Sequence, residues 1–118
     1  MSRLAALLLL ATLLAGCATP GAPVPPRELT FAVPPETALT TTAEVLMDSG
    51  YVLRHADADL GRLEAVLSRW PGYRVQAKVQ AEGEGSRLAL TATRGGRPLP
   101  PETLDRLSMD IQNRMAMD

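Results

Sequence analysis

Two alternating segments in the middle of the chain, joined by a short glycine turn, constrain the fold more than any other feature. Every second residue of Tyr73–Ala81 is apolar or aromatic, with Arg, Gln or Lys between, and Arg87–Thr93 alternates in the same way. The residues predicted to face inward are Tyr73, Val75, Ala77, Val79, Ala81, Leu88, Leu90 and Ala92. Alternation of apolar and polar residues on both sides of a turn at Glu82–Gly85 predicts an antiparallel hairpin with one solvent-exposed face.

Three further segments are predicted to be strands. Arg27–Val33 alternates cleanly, and Tyr51–His55 is a short apolar run followed by turn residues at Ala56–Gly61. Arg62–Arg69 has a spacing that fits either a strand or a turn or two of helix. We favour a strand, because the segment is bounded by Gly61 and by Pro71–Gly72.

Two segments have helical spacing, and each begins with Pro-Pro-Glu, a sequence suited to the first turn of a helix. The first helix is predicted over Glu36–Ser49, with Gly50 as its C-terminal cap. Its apolar residues are Leu39, Ala43, Leu46 and Met47. Arg94–Leu99, with Gly95 and Gly96, is predicted to be a loop. The second helix starts at Pro100-Pro101-Glu102, and its apolar stripe is Leu104, Leu107, Ile111 and Met115.

These elements predict an α+β domain over residues 27–118, in the order β-α-β-β-β-β-α. We expect an antiparallel sheet of about four or five strands with both helices packed on one face. The strand residues that the helices are expected to cover are Leu29, Phe31, Val75, Val79, Leu88 and Leu90.

The first sixteen residues, 1–16, have the layout of a secretory signal peptide. Arg3 supplies a positive charge, Leu4–Leu14 is uncharged and apolar, and Ala15 and Gly16 are small. A membrane-spanning helix needs about 20 apolar residues, so this run favours a cleaved signal over a span.

Leu14-Ala15-Gly16-Cys17 resembles the lipobox of bacterial lipoproteins. The resemblance implies that a diacylglycerol is attached to the thiol of Cys17 and that a peptidase cuts after Gly16. Acyl chains on Cys17 would hold the protein on a membrane, since two or more chains anchor stably.

Residues 17–26 are predicted to form a lipidated cysteine followed by a Pro-rich linker, an extended spacer. In such lipoproteins, an Asp directly after the lipidated cysteine retains the protein in the inner membrane. This chain has Ala18 at that position, so the resemblance implies the periplasmic face of the outer membrane. Cys17 is the sole cysteine, so no internal disulfide can form.

Composition and motifs give little support to catalysis or to nucleic-acid binding. The chain has 12 basic and 13 acidic residues, and it carries no basic patch for nucleic acid. The candidate metal cluster is His55, Asp57 and Asp59, which would share one face if the strand continued through Asp59. Aspartates in a turn more often make local hydrogen bonds, so we predict no metal site. Because the motifs give little support to catalysis, we also predict no cofactor and no enzyme.

The aromatic residues supply the candidate binding positions. Trp70 lies at a predicted turn, and Tyr51 and Tyr73 are the two tyrosines. An exposed Trp can anchor a partner, although such a residue more often folds back over the sheet edge. Trp70 and Tyr51 are therefore the candidate partner-binding residues.

The pattern of Gly50-Tyr51, Asp59–Ala65, a strong hairpin and a final helix is similar to small helix-grip-like domains of outer-membrane lipoproteins, such as those of BamC. The resemblance implies a fold and places no functional residue. We expect a periplasmic lipoprotein whose non-catalytic domain binds other envelope proteins. The alternative is a domain that binds lipid or glycan in the groove between helix and sheet.

Overall fold

A computed structural model of the protein describes residues 24–69 and 72–117. The predicted signal peptide, Cys17 and Trp70 lie outside the described residues. The strands are β1 Arg27–Phe31, β2 Tyr51–Asp57, β3 Arg62–Leu67, β4 Arg74–Glu82, β5 Gly85–Arg94 and β6 Arg97–Pro98. The helices are α1 Pro35–Asp48 and α2 Asp105–Met117, the latter preceded by a short 3-10 helix at Pro101–Leu104.

The strands form one antiparallel sheet in the order β1-β5-β4-β3-β2, and β6 pairs with the end of β5. The predicted hairpin is confirmed in full register, from Arg74 opposite Thr93 to Glu82 opposite Gly85. Strand β1 pairs with β5, so the first strand of the domain closes against the last long one. The α+β class and the predicted order of elements are confirmed.

Both helices lie on one face of the sheet, as the apolar stripes predicted. Helix α1 contacts β2 through β5, and α2 contacts α1 and β1. The core between helices and sheet contains Leu29, Leu46, Leu63, Val75, Val79, Leu88, Leu90, Leu104, Leu107, Ile111 and Met115, with Phe31 partly buried against it. In residues 24–69 and 72–117, no helix combines the length and the apolar character that a bilayer crossing requires.

Helix α1 is rotated from the orientation that its apolar residues suggest. Met47 was expected to face the core but is half exposed, whereas Thr41 and Thr42 are buried. The hydroxyl of Thr42 donates to the carbonyl of Ala38 at 2.7 Å, which satisfies its donor and lets it face the core.

Element ends differ from the predictions where backbone pairing extends beyond the apolar pattern. Strand β2 continues through Ala56 and Asp57, which were expected in a turn, because both pair with β3. Arg62–Leu67 is a strand, as favoured. Strand β6 lies in a segment predicted to be a loop, and the second α-helix begins at Asp105, one 3-10 turn later than expected.

The hydroxyl of Ser86, on the buried face of β5, has no hydrogen-bond partner in the described part of the chain. A buried hydroxyl without a partner costs about 1–3 kcal/mol. We therefore expect Ser86→Ala to raise the free energy of unfolding by about 1 kcal/mol, measured by urea denaturation.

Ser49→Ala is the matched control for that measurement. The Ser49 hydroxyl donates to the carbonyl of Val45 at 2.8 Å, so its removal should lower the free energy of unfolding by about 0.5–1 kcal/mol. Equal destabilisation by both substitutions would show that the Ser86 hydroxyl is satisfied.

Candidate functional site

A groove of about 840 Å³ opens at the seam between the helices and one end of the sheet. It lies where α1 ends and β2 begins, beside the end of β3 and the start of α2. Its lining residues are Asp48, Ser49, Gly50, Tyr51, Leu67, Arg69, Tyr73, Ala92, Thr103, Leu104, Arg106, Leu107 and Asp110. The groove contains Tyr51, one of the two binding residues predicted from the sequence.

Both tyrosines of the chain line this groove because sheet register brings them together. Tyr51 is paired in register with Leu67, whose backbone N–H donates to the carbonyl of Tyr73 at 2.8 Å. Burial raises the pKa of the Tyr51 hydroxyl, and the neighbouring Tyr73 raises it further. Tyr51 therefore presents a neutral phenol at neutral pH, able both to donate and to accept a hydrogen bond.

Arg69 lies across the turn between α1 and β2. Gly50 has a φ of 94°, and a Cβ added there would lie 3.6 Å from a terminal nitrogen of the Arg69 guanidinium. The glycine thus provides the left-handed conformation that ends the helix, and the guanidinium lies at van der Waals distance from the added Cβ. A cation at this position is also favourable for the negative end of the α1 dipole.

The opposite wall is formed by α2 and carries charges of both signs. Arg106 and Asp110 are exposed on it. Arg114, further along α2, makes ion pairs with Asp48 at 2.7 Å and with Glu44 at 3.8 Å. These pairs connect the end of α1 to α2 beside the groove.

The groove combines an apolar floor with phenol and guanidinium groups at its mouth. The floor residues are Leu67, Ala92, Leu104 and Leu107. Sequence reasoning did not identify Arg69 or Arg106 as site residues. Arg69 could have been found through its position next to Trp70, whereas Arg106 is recognisable only once the helix is placed against the sheet.

The second candidate cluster lies on the face of the sheet opposite the helices, which no described helix covers. His55 and Asp57 line a shallow concavity of about 580 Å³, opposite Glu64 and Arg62 in register. The predicted local role of an aspartate is confirmed at Asp57, whose Oδ1 accepts the backbone N–H of Leu60 at 3.1 Å. In the described part of the chain, no three His, Cys, Asp or Glu side chains are grouped so that they could hold a metal ion.

Comparisons with known proteins show the fold and no family. No protein-family profile matches the chain, and no curated protein matches it in sequence. Solved structures do match. One is the crystal structure of TTHA0849 from Thermus thermophilus, which is 15% identical, with a TM-score of 0.56 over 80% of this chain and 98% of that one. This chain is therefore similar in fold to TTHA0849.

Proposed function

We propose that the protein is a bacterial lipoprotein, anchored by Cys17 to the periplasmic face of the outer membrane, whose non-catalytic domain binds other envelope proteins. The observation that carries the binding role is the groove beside Tyr51, where two tyrosines and two arginines surround an apolar floor. Tyrosine and arginine are enriched among the residues that dominate binding energy at protein interfaces.

The groove is built on ordered elements, which favours binding. Tyr51 lies in β2, Tyr73 immediately precedes β4, and Arg106 lies in α2. Side chains on a sheet and a packed helix lose less conformational entropy on binding than side chains on a free loop. Trp70, the other predicted anchor, follows Arg69 directly in sequence.

The proposed tether suits such a domain. The linker of residues 17–26 ends where β1 begins at Arg27. At roughly 3 Å per residue, a Pro-rich segment of this length would hold the domain about 25–30 Å from the membrane surface. The groove would then reach proteins that also stand in or on that membrane.

The groove volume favours a second candidate function, binding of a lipid or a glycan at the same place. About 840 Å³ falls within the roughly 300–1,000 Å³ of small-molecule sites. A thermal-shift screen with envelope lipids and glycans separates the two functions. A saturable shift that Arg106→Glu removes would favour the ligand over the protein partner.

The protein-binding proposal is tested by crosslinking in native envelopes with the full-length chain. We expect Arg106→Glu to reduce recovery of the crosslinked partner about 5- to 30-fold, since loss of a groove contact costs about 1–2 kcal/mol. Arg97→Glu makes the same charge change at an exposed residue of β6 that does not line the groove, and should leave recovery unchanged. Recovery of no protein partner by the parent chain would refute the proposal.

A further inference from the structure

Strand β2 is an edge strand with an unpaired side. It is seven residues long and, within the described residues, its sole sheet neighbour is β3. In an antiparallel ladder the backbone N–H and C=O groups of successive residues point alternately towards and away from the neighbouring strand. Leu67 directs its N–H to Tyr73 on the β4 side. Its register partner Tyr51 therefore directs its own groups outward, and so does Leu53.

Exposed apolar side chains lie on both sides of this edge. Val52, on the uncovered face of the sheet, is 52% exposed, and Met47, on the helix side, is 50% exposed. Asp48 faces α2, since it makes an ion pair with Arg114. Successive residues of a helix are rotated by about 100° about its axis, so Met47 and Ala43 lie on a different flank of α1. Because α1 contacts β2 while α2 contacts β1, that flank of α1 lies above the β2 edge.

The other edge of the sheet has features that discourage pairing. Proline precedes and follows β1, at Pro26 and Pro34, and a further proline, Pro98, lies in β6 beside it. Prolines are a common means of blocking an edge strand. Strand β2 contains no proline and is interrupted between Leu53 and His55 by a bulge. A bulge prevents indiscriminate pairing along the whole edge while leaving the regular stretch Tyr51–Leu53 open.

We propose that a partner protein binds by adding an extended segment to β2 as a new edge strand. Main-chain hydrogen bonds to Tyr51 and Leu53 would supply affinity, and pockets for alternate side chains would supply specificity. The matching segment is extended and proline-free, with apolar residues at alternate positions that pack against Met47 on one side and Val52 on the other.

The charge on the edge distinguishes a foreign segment from a second copy of this chain. Arg54 is the central residue of β2, it is exposed, and it makes no ion pair with any described residue. A second copy paired through Tyr51–Leu53 would place Val52 opposite Val52 and Gly50 beside Arg54, so it would bring no carboxylate to the guanidinium. The fitting partner segment instead has a carboxylate opposite Arg54.

This inference rests on the proposed function, because the added strand would lie beside the groove, which it meets at Tyr51. The test places a photo-reactive p-benzoylphenylalanine at Val52, at the exposed groove residue Thr103, or at Met117 in the full-length chain, in native envelopes. Met117 is the control, since it is 77% exposed at the end of α2, three turns along the helix from Arg106. We expect Val52 and Thr103 to capture the same protein, and Met117 to capture none of it.

A substitution on the helix flank completes the test. Met47→Glu should reduce capture from Val52 at least tenfold, while Met117→Glu should leave it unchanged. Capture from Thr103 without capture from Val52 would overturn the added strand and leave the proposed function standing. Capture of a second copy of this chain from Val52 would also overturn the inference. Capture from neither position would refute both proposals.

Discussion

Replacing Cys17 with alanine is expected to leave a larger, uncleaved precursor that incorporates no labelled palmitate. The physical reason lies in the thiol, because the lipobox resemblance makes its sulfur the atom that is alkylated before the peptidase acts. Each CH₂ of an acyl chain buried in the membrane contributes about 0.8 kcal/mol to membrane binding. Without the acyl chains this free energy is lost, and the protein is no longer anchored. Metabolic labelling with palmitate, followed by gel electrophoresis of membrane and periplasmic fractions, measures both effects.

Ala18→Asp is the matched control for the anchor. It changes the next residue and leaves the thiol in place, so cleavage and palmitate labelling should remain as in the parent. The sorting rule implied by the resemblance predicts that this variant moves to the inner membrane. A Cys17→Ala chain that is cleaved and labelled like the parent would contradict the anchor and, with it, the proposed location.

The sheet could be predicted from sequence because its signal is local. A side chain in a strand changes face at every residue, so the alternation in Tyr73–Ala81 predicts both the strand and its buried side. Val75, Ala77 and Val79 are buried as expected, whereas Ala81, close to the turn, is exposed. The turn at Gly83 then leaves an antiparallel hairpin as the simple connection. Helical spacing likewise predicted the apolar stripe of the last helix, and its residues Leu104, Leu107, Ile111 and Met115 are buried as expected.

The orientation of α1 could not be predicted in the same way. Hydropathy favours Met47 over Thr42 for the core, yet the structure buries Thr42 and exposes Met47. The hydroxyl of Thr42 is satisfied by Ala38 within its own helix, a term that hydropathy does not contain. Strand β6 was missed because a two-residue ladder has no periodicity and depends on β5 being already in place.

The candidate site was only partly predictable because it is assembled from three distant segments. Tyr51 was found by its aromatic side chain, but Arg69 and Arg106 acquire their roles from the packing of β3 and α2. The structure also joins two features that are separate in the sequence. The side chain of Tyr51 lines the groove, and the backbone of Tyr51 is part of the open β2 edge. A partner segment paired with β2 would therefore end at the groove.

Gly61→Ala is expected to lower the free energy of unfolding by about 3–4 kcal/mol, combining backbone strain, a steric clash and a weakened hydrogen bond. Gly61 has a φ of 64°, and a Cβ added there would lie 2.3 Å from the backbone oxygen of Val79. The same backbone contact contains a hydrogen bond, from the N–H of Val79 to the carbonyl of Gly61 at 2.7 Å. A methyl group would force β3 and β4 apart next to the buried residue Leu63.

Gly83→Ala separates the close contact from the backbone strain. Gly83 has a similar φ of 58°, but nothing lies within 4 Å of an added Cβ, so this variant should lose only about 1 kcal/mol. Urea denaturation of both variants measures the difference, which we expect to be at least about 2 kcal/mol. In a domain of this size each kcal/mol lowers the Tm by about 4–8 °C, so thermal denaturation gives an independent reading. Equal losses would mean that β3 and β4 can separate at Gly61 without cost, and that the β2–β3 turn does not depend on a glycine for contact with β4.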